Sequence, residues 1–143
     1  MHGVDINRVL GLSTEVEFND LALSVFKYQH QNNKIYNAFV KSLNKEAESI
    51  KHYIEIPFLP IGFFKTHDVL CNGKRDDFIV FTSSSTTSET PSKHIVSDLS
   101  VYEKSFIKGF ERVYGKPSDL VILALLPNYL EREGSSLVYM FDK

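Results

Sequence analysis

The sequence predicts an α/β fold in which a helical hairpin precedes part of a β-sheet with packed helices. Three observations carry that reading. Apolar residues recur at helical spacing in two successive stretches before residue 45. Two runs, Phe78-Ile79-Val80-Phe81 and residues 120–126, have the apolar, partly β-branched make-up of buried strands. Between them, an amphipathic pattern from Leu99 to Tyr114 marks a helix. No linker or internal repeat divides the 143 residues, so the expectation is one domain, with a helical region over 1–50 and an α/β region over 51–143. A chain of this length can bury about 68–70% of the surface it exposes when unfolded.

Taken in order, Phe18, Leu21, Ala22, Val25 and Phe26 define the first helix, with Asn19 as its expected cap and an end near Gln31. Asn32-Asn33 breaks it, and Asn33 caps a second helix carrying Ile35, Tyr36, Phe39, Val40 and Leu43. Pro57 and Pro60 then make residues 56–64 an apolar loop, because proline lacks the N–H that helices and sheet ladders use. A turn at Asn72-Gly73-Lys74 leads into the strand at 78–81, and Ile95-Val96 is a short return strand. The helix that follows presents Leu99, Tyr102, Phe106, Phe110, Val113 and Tyr114. Ser100 and Glu103 resemble a capping box there, while Gly115 and Pro117 supply the stop. Residues 120–126 are expected to be a second buried strand, 127–134 a loop, and Ser135 the start of a last helix. That helix runs into Lys143 with its apolar face open, which predicts that the chain continues or that a second chain completes it.

Hydrophobic residues make up 43% and charged residues 24% of the chain, which is the balance of a globular protein. A net charge of -2 offers no positive field to hold a polyanion, so nucleic acid is not an expected partner. The lone Cys71 cannot form an internal disulfide and reads as a plain thiol in a reducing compartment. Neither a signal peptide nor a membrane span is expected, and the predicted location is the cytoplasm.

The most unusual feature is Thr82-Ser83-Ser84-Ser85-Thr86-Thr87-Ser88, seven hydroxyl residues in a row directly after a strand, followed by Glu89-Thr90-Pro91-Ser92-Lys93-His94. Convergent O–H and N–H donors on a tight turn suit the oxygens of a nucleotide phosphate tail, and Lys93 adds a mobile positive charge. The same composition also describes a solvated Ser/Thr loop. A Walker phosphate loop, a dinucleotide fingerprint and a G-x-S-x-G elbow are all missing, so none of those chemistries has a motif here.

Residues 82–93 resemble the signature loop of the adenylate-forming superfamily, roughly [ST]-S-G-[ST]-T-G-x-P-K. Thr90 to His94 is similar to the extended T-P-S-K-H ending of the acyl-protein synthetases of the bacterial luminescence (LuxE-type) group. Pro57 to His67 (PFLPIGFFKTH) and Asp119 to Tyr129 (DLVILALLPNY) look like that family's flanking segments, so the likeness spans most of the chain. It implies the N-terminal portion of an adenylate-forming enzyme. The implied reaction is ATP-dependent activation of a carboxylic, in that group fatty, acid as acyl-adenylate, with transfer to a protein or thiol acceptor. Its cofactors would be ATP and Mg²⁺, and its partners a protein acyl acceptor or a completing subunit.

By the same resemblance, Thr82, Ser83, Ser84, Ser85, Thr86, Thr87 and Ser88 would bind the nucleotide phosphates and Lys93 would be the catalytic cation. Tyr129 and His67 would line the substrate pocket, with Lys65 beside it. No metal ligand is expected from the protein, and an alternative reading of His67-Asp68 as half a metal site finds no matching cluster. Ser85 and Ser88 stand where the signature has glycine. The superfamily's later motifs have no counterpart before Lys143, so the chain alone is expected to be inactive. The alternative is a non-catalytic interaction module of the same fold.

Overall fold

The computed structural model describes residues 5–71, 78–83, 90–123 and 134–143. By its internal contacts the chain divides into two compact units, Met1–Lys74 and Arg75–Lys143.

The first unit is helical. A short helix α1 (Ile6–Leu10) precedes α2 (Glu15–Asn32) and α3 (Lys34–Ser42), and α2 and α3 pack as the expected hairpin. Helix α2 begins earlier than its apolar pattern indicates. Its cap is Thr14, whose Oγ1 accepts from the Glu17 amide at 3.2 Å while the Glu17 carboxylate accepts from the Thr14 amide at 3.1 Å. Asn19, expected to be the cap, lies inside the helix, and its Oδ1 accepts from the amide of Tyr53 at 2.9 Å. Asn33 does cap α3: its Oδ1 accepts from the Tyr36 amide at 3.1 Å, and its Nδ2 donates to Gln29 Oε1 at 3.3 Å. Those two bonds let a polar side chain lie buried without loss.

The core of this unit joins Phe26, Tyr36 and Val40 of the hairpin to Ala47 and Ile50, with Leu23, Phe39, Ile56 and Leu59 packed around them. The residues beyond α3 form two 3₁₀ turns (Ala47–Ser49 and Tyr53–Glu55) and then the irregular apolar loop that its prolines dictate. A single turn of helix, α4 (Phe63–Thr66), closes the loop, with the Phe63 ring 5.7 Å from that of Phe39. Within the loop the side chains diverge: Pro57 is buried while Phe58 and Ile61 face outward.

The second unit contains β1 (Ile79–Thr82) and β2 (Lys93–Val96), paired antiparallel with Ile79 opposite Val96 and Thr82 opposite Lys93. These are the strands of one two-stranded sheet. The fold is therefore mixed helix with a small antiparallel sheet. The first strand is not the buried one expected from its composition, because Ile79 and Val80 are 36% and 39% exposed and only Phe81 is buried. Helix α5 (Leu99–Tyr114) follows and stops at Gly115, whose φ of 83° favours glycine. Its cap is Asp98, which accepts from the amides of Ser100 and Val101. The expected Ser100–Glu103 box does not form; Glu103 instead accepts the phenol of Tyr139 at 2.6 Å.

After a 3₁₀ turn (Pro117–Asp119), residues 120–123 carry no strand and are exposed, with Val121 at 91% and Leu123 at 92%. The buried strand expected there is not present over these four residues, since none of the described elements covers or pairs with them; 124–126 lie outside the described residues. The last helix, α6 (Ser136–Asp142), starts as expected, with Ser135 Oγ accepting from the Val138 amide at 3.3 Å. Phe81 is the hub of this unit, its ring 5.1 Å from Tyr102 of α5 and 5.4 Å from Tyr139 of α6. Among the described residues no helix is long and apolar enough to cross a membrane.

Candidate functional site

The site begins where β1 and β2 hand over to the hydroxyl loop. The ladder continues one pair past the strands: the Ser83 amide donates to the Ser92 carbonyl at 3.0 Å, and the Ser92 amide donates to Ser83 Oγ at 2.9 Å. This pair of bonds makes a neck between Ser83 and Ser92. Ser84, Ser85, Thr86, Thr87 and Ser88, five of the seven expected phosphate-binding residues, lie outside the described residues, as does Tyr129.

Thr82 and Lys93 face each other across the ladder, so their side chains leave the same face of the sheet. Phe81, one residue earlier, points to the opposite face, into the aromatic cluster. Alternation thus puts Phe81 on one face of β1, with the aromatic cluster, and Thr82 and Lys93 on the other, beside the Val80–Ile95 pair. Lys93 is exposed. It places a cation on a flexible stem beside a neck of Ser and Thr.

His67 belongs to the first unit, where it ends α4. Its ring stacks on Phe63 at 5.2 Å, and its Nδ1 lies 2.8 Å from Thr66 Oγ1. These local contacts account for its position. Cys71, in the same unit, donates to Gln29 Oε1 at 3.2 Å, and partial burial raises its thiol pKa, which makes it a poor nucleophile. Among the described residues no group of three or more His, Cys, Asp and Glu is placed to hold a metal ion.

Two residues complete the neck that sequence reasoning did not single out. Ser92 meets Ser83 through both its carbonyl and its amide, and Gly134 accepts the Thr82 amide at 2.9 Å. The signal for Gly134 was its place just before the Ser135 cap, where a turn must form.

No family model, curated protein or solved structure matches this chain.

Proposed function

We propose that this chain supplies the phosphate-binding loop for ATP-dependent activation of a carboxylic, and specifically fatty, acid as acyl-adenylate for transfer to a protein or thiol acceptor. The observation that supports this reading is the clasped hairpin neck, with Lys93 set across from Thr82 at the root of the hydroxyl row. In such a reaction a carboxylate oxygen attacks the α-phosphorus of Mg-ATP and pyrophosphate leaves. The protein's part is positional and electrostatic: donors hold the β- and γ-phosphate oxygens while a cation offsets the charge of the leaving group. Mg²⁺ enters bound to ATP.

Isothermal titration of the chain with Mg-ATP tests the reading. Binding is expected, and Lys93→Ala should weaken it about tenfold to a hundredfold, the value of one hydrogen bond to a charged group. No heat from either protein sinks it and favours a second reading, a non-catalytic module that binds a partner subunit, whose support is the exposed apolar run at 120–123.

A further inference from the structure

The second unit holds an exposed, strand-like run and, elsewhere, an open strand edge. Leu120 enters the run in an extended conformation, with φ -124° and ψ 149°. From there exposure alternates with the two-residue period of an extended chain: 45% at Leu120, 91% at Val121, 47% at Ile122 and 92% at Leu123. Val121 and Leu123 thus share one open face. Among the described residues nothing pairs with the backbone of 121–123. Unpaired N–H and C=O groups beside bare Val and Leu side chains form a template for another strand.

The open edge belongs to β1. In an antiparallel pair, alternate residues turn their backbone groups toward the partner strand. The Ser83 amide turns toward β2, so the backbone groups of Thr82 and Val80 turn outward. Thr82 donates there to the carbonyl of Gly134 at 2.9 Å, a bond of the kind an added strand makes, whereas Val80 has no such partner among the described residues. A cleft of about 310 Å³ lies along this edge between β1 and α6, with Ile79, Phe81, Val138 and Tyr139 among its walls. Its size and apolar walls suit a few aliphatic side chains. Two strands alone make a marginal sheet, and a third strand on β1 would extend it.

We infer that this chain associates with itself by strand addition: residues 120–123 of one copy extend the outer edge of β1 in another, and Val121 and Leu123 enter the cleft against α6. The occupant is a second copy because one unit of the chain carries both halves of the contact, an unpaired extended apolar run and an unpaired edge beside an apolar cleft. The two halves match in length, since β1 also spans four residues. They match in face as well. Alternate side chains of an added strand point the same way, so Val121 and Leu123 both reach the side of β1 on which Phe81 meets Tyr139 of α6. Reciprocal exchange between two copies closes the assembly as a dimer. Four residues a side fall well short of the roughly 20–30 of a standard interface, so the association is weak, with Kd of about 10–100 µM. The contact needs no nucleotide and is independent of the phosphate-loop reading.

Sedimentation velocity of the chain from about 1 µM to about 1 mM reads this association. The parent should pass from monomer to dimer as concentration rises. Leu123→Asp should raise the dissociation constant at least about tenfold and leave Tm in dilute solution unchanged. Val138→Glu, which puts a charge into the cleft and keeps 120–123 intact, should weaken association to the same degree. The two variants mixed should associate again, because one keeps the strand and the other keeps the cleft. If Val138→Glu loses helix content by circular dichroism, a synthetic peptide of residues 117–123 takes its place: it should bind the parent saturably and shift the amide resonance of Val80. A parent that stays monomeric to about 1 mM overturns the inference, and so does a peptide that does not bind. A folded Val138→Glu chain that dimerises like the parent also overturns it, since 120–123 would then pair with its own copy and not with β1.

Discussion

The phenol of Tyr36 donates to the carbonyl of Pro57 at 2.7 Å, tying the second helix of the hairpin to an apolar loop 21 residues further along the chain. The bond is buried, and the ring above it meets Phe26 edge-on at 6.1 Å. Helix geometry alone gives a proline-interrupted loop no place to sit. This bond, with Ile56 and Leu59 on the core, supplies one.

Tyr36→Phe keeps the ring and leaves the Pro57 carbonyl buried without its donor, so it should cost about 1–3 kcal/mol. The loss is read by thermal or urea unfolding. Burial pushes the Tyr36 hydroxyl up to about 12. Because the folded pKa lies above the ordinary value near 10, the contribution is full below about pH 10 and disappears as pH rises toward 12. The stability gap between the parent and Tyr36→Phe should be flat to about pH 10 and then close. A gap that widens with alkali would refute this account.

Asp98 caps α5, and the Ser100 hydroxyl above all holds its carboxyl below the usual range. A depressed carboxyl pKa stabilises the fold above the ordinary value near 4 and loses that effect as pH falls through the folded value. Asp98→Ala should cost about 1 kcal/mol at neutral pH, whereas Asp98→Asn, an equally good cap, should be close to neutral there. The stability difference between the parent and Asp98→Asn should change only in acid, as measured by helix content against pH.

Val121 and Leu123 project from a segment with no strand partner among the described residues. Val121→Asp or Leu123→Asp should change stability by no more than about 0.5 kcal/mol, as at other exposed positions. Had the run been a buried strand, each would unfold the unit through an unpaired buried charge. Tm of the two variants decides between these outcomes, and a fall of the size seen for core substitutions would contradict the exposed placement.

Ser85 and Ser88 occupy positions where the resembled signature has glycine. On the proposed phosphate-loop function, Ser85→Gly with Ser88→Gly should tighten Mg-ATP binding, because glycine reaches positive φ without the roughly 1–2 kcal/mol that a residue with a Cβ incurs. Titration of the double variant against the parent measures it. Unchanged affinity would mean that serine is accommodated at both positions.

Much of this protein is determined by residues close together in sequence. The helical hairpin, the Asn33 cap, the Gly115 stop and the Ser135 start all follow from local rules, because a cap or a helical face needs only partners within a turn. Even the Thr14–Glu17 box has the local signature T-x-x-E, whereas the apolar pattern alone points to Asn19. Asn19 shows why proximity in sequence is not enough: its side chain serves Tyr53, 34 residues away.

The tertiary structure decided which apolar runs are covered. Residues 78–81 and 120–123 are similarly apolar, yet Phe81 is enclosed by Tyr102 and Tyr139 while Val121 and Leu123 meet no such neighbours among the described residues. Burial is a property of what packs against a segment and cannot be read from the segment itself. The same holds at the candidate site. The hydroxyl row and Lys93 could be picked out by type, but the grip of Ser92 and Gly134 on its neck depends on strand pairing and on a turn more than 50 residues downstream of Thr82.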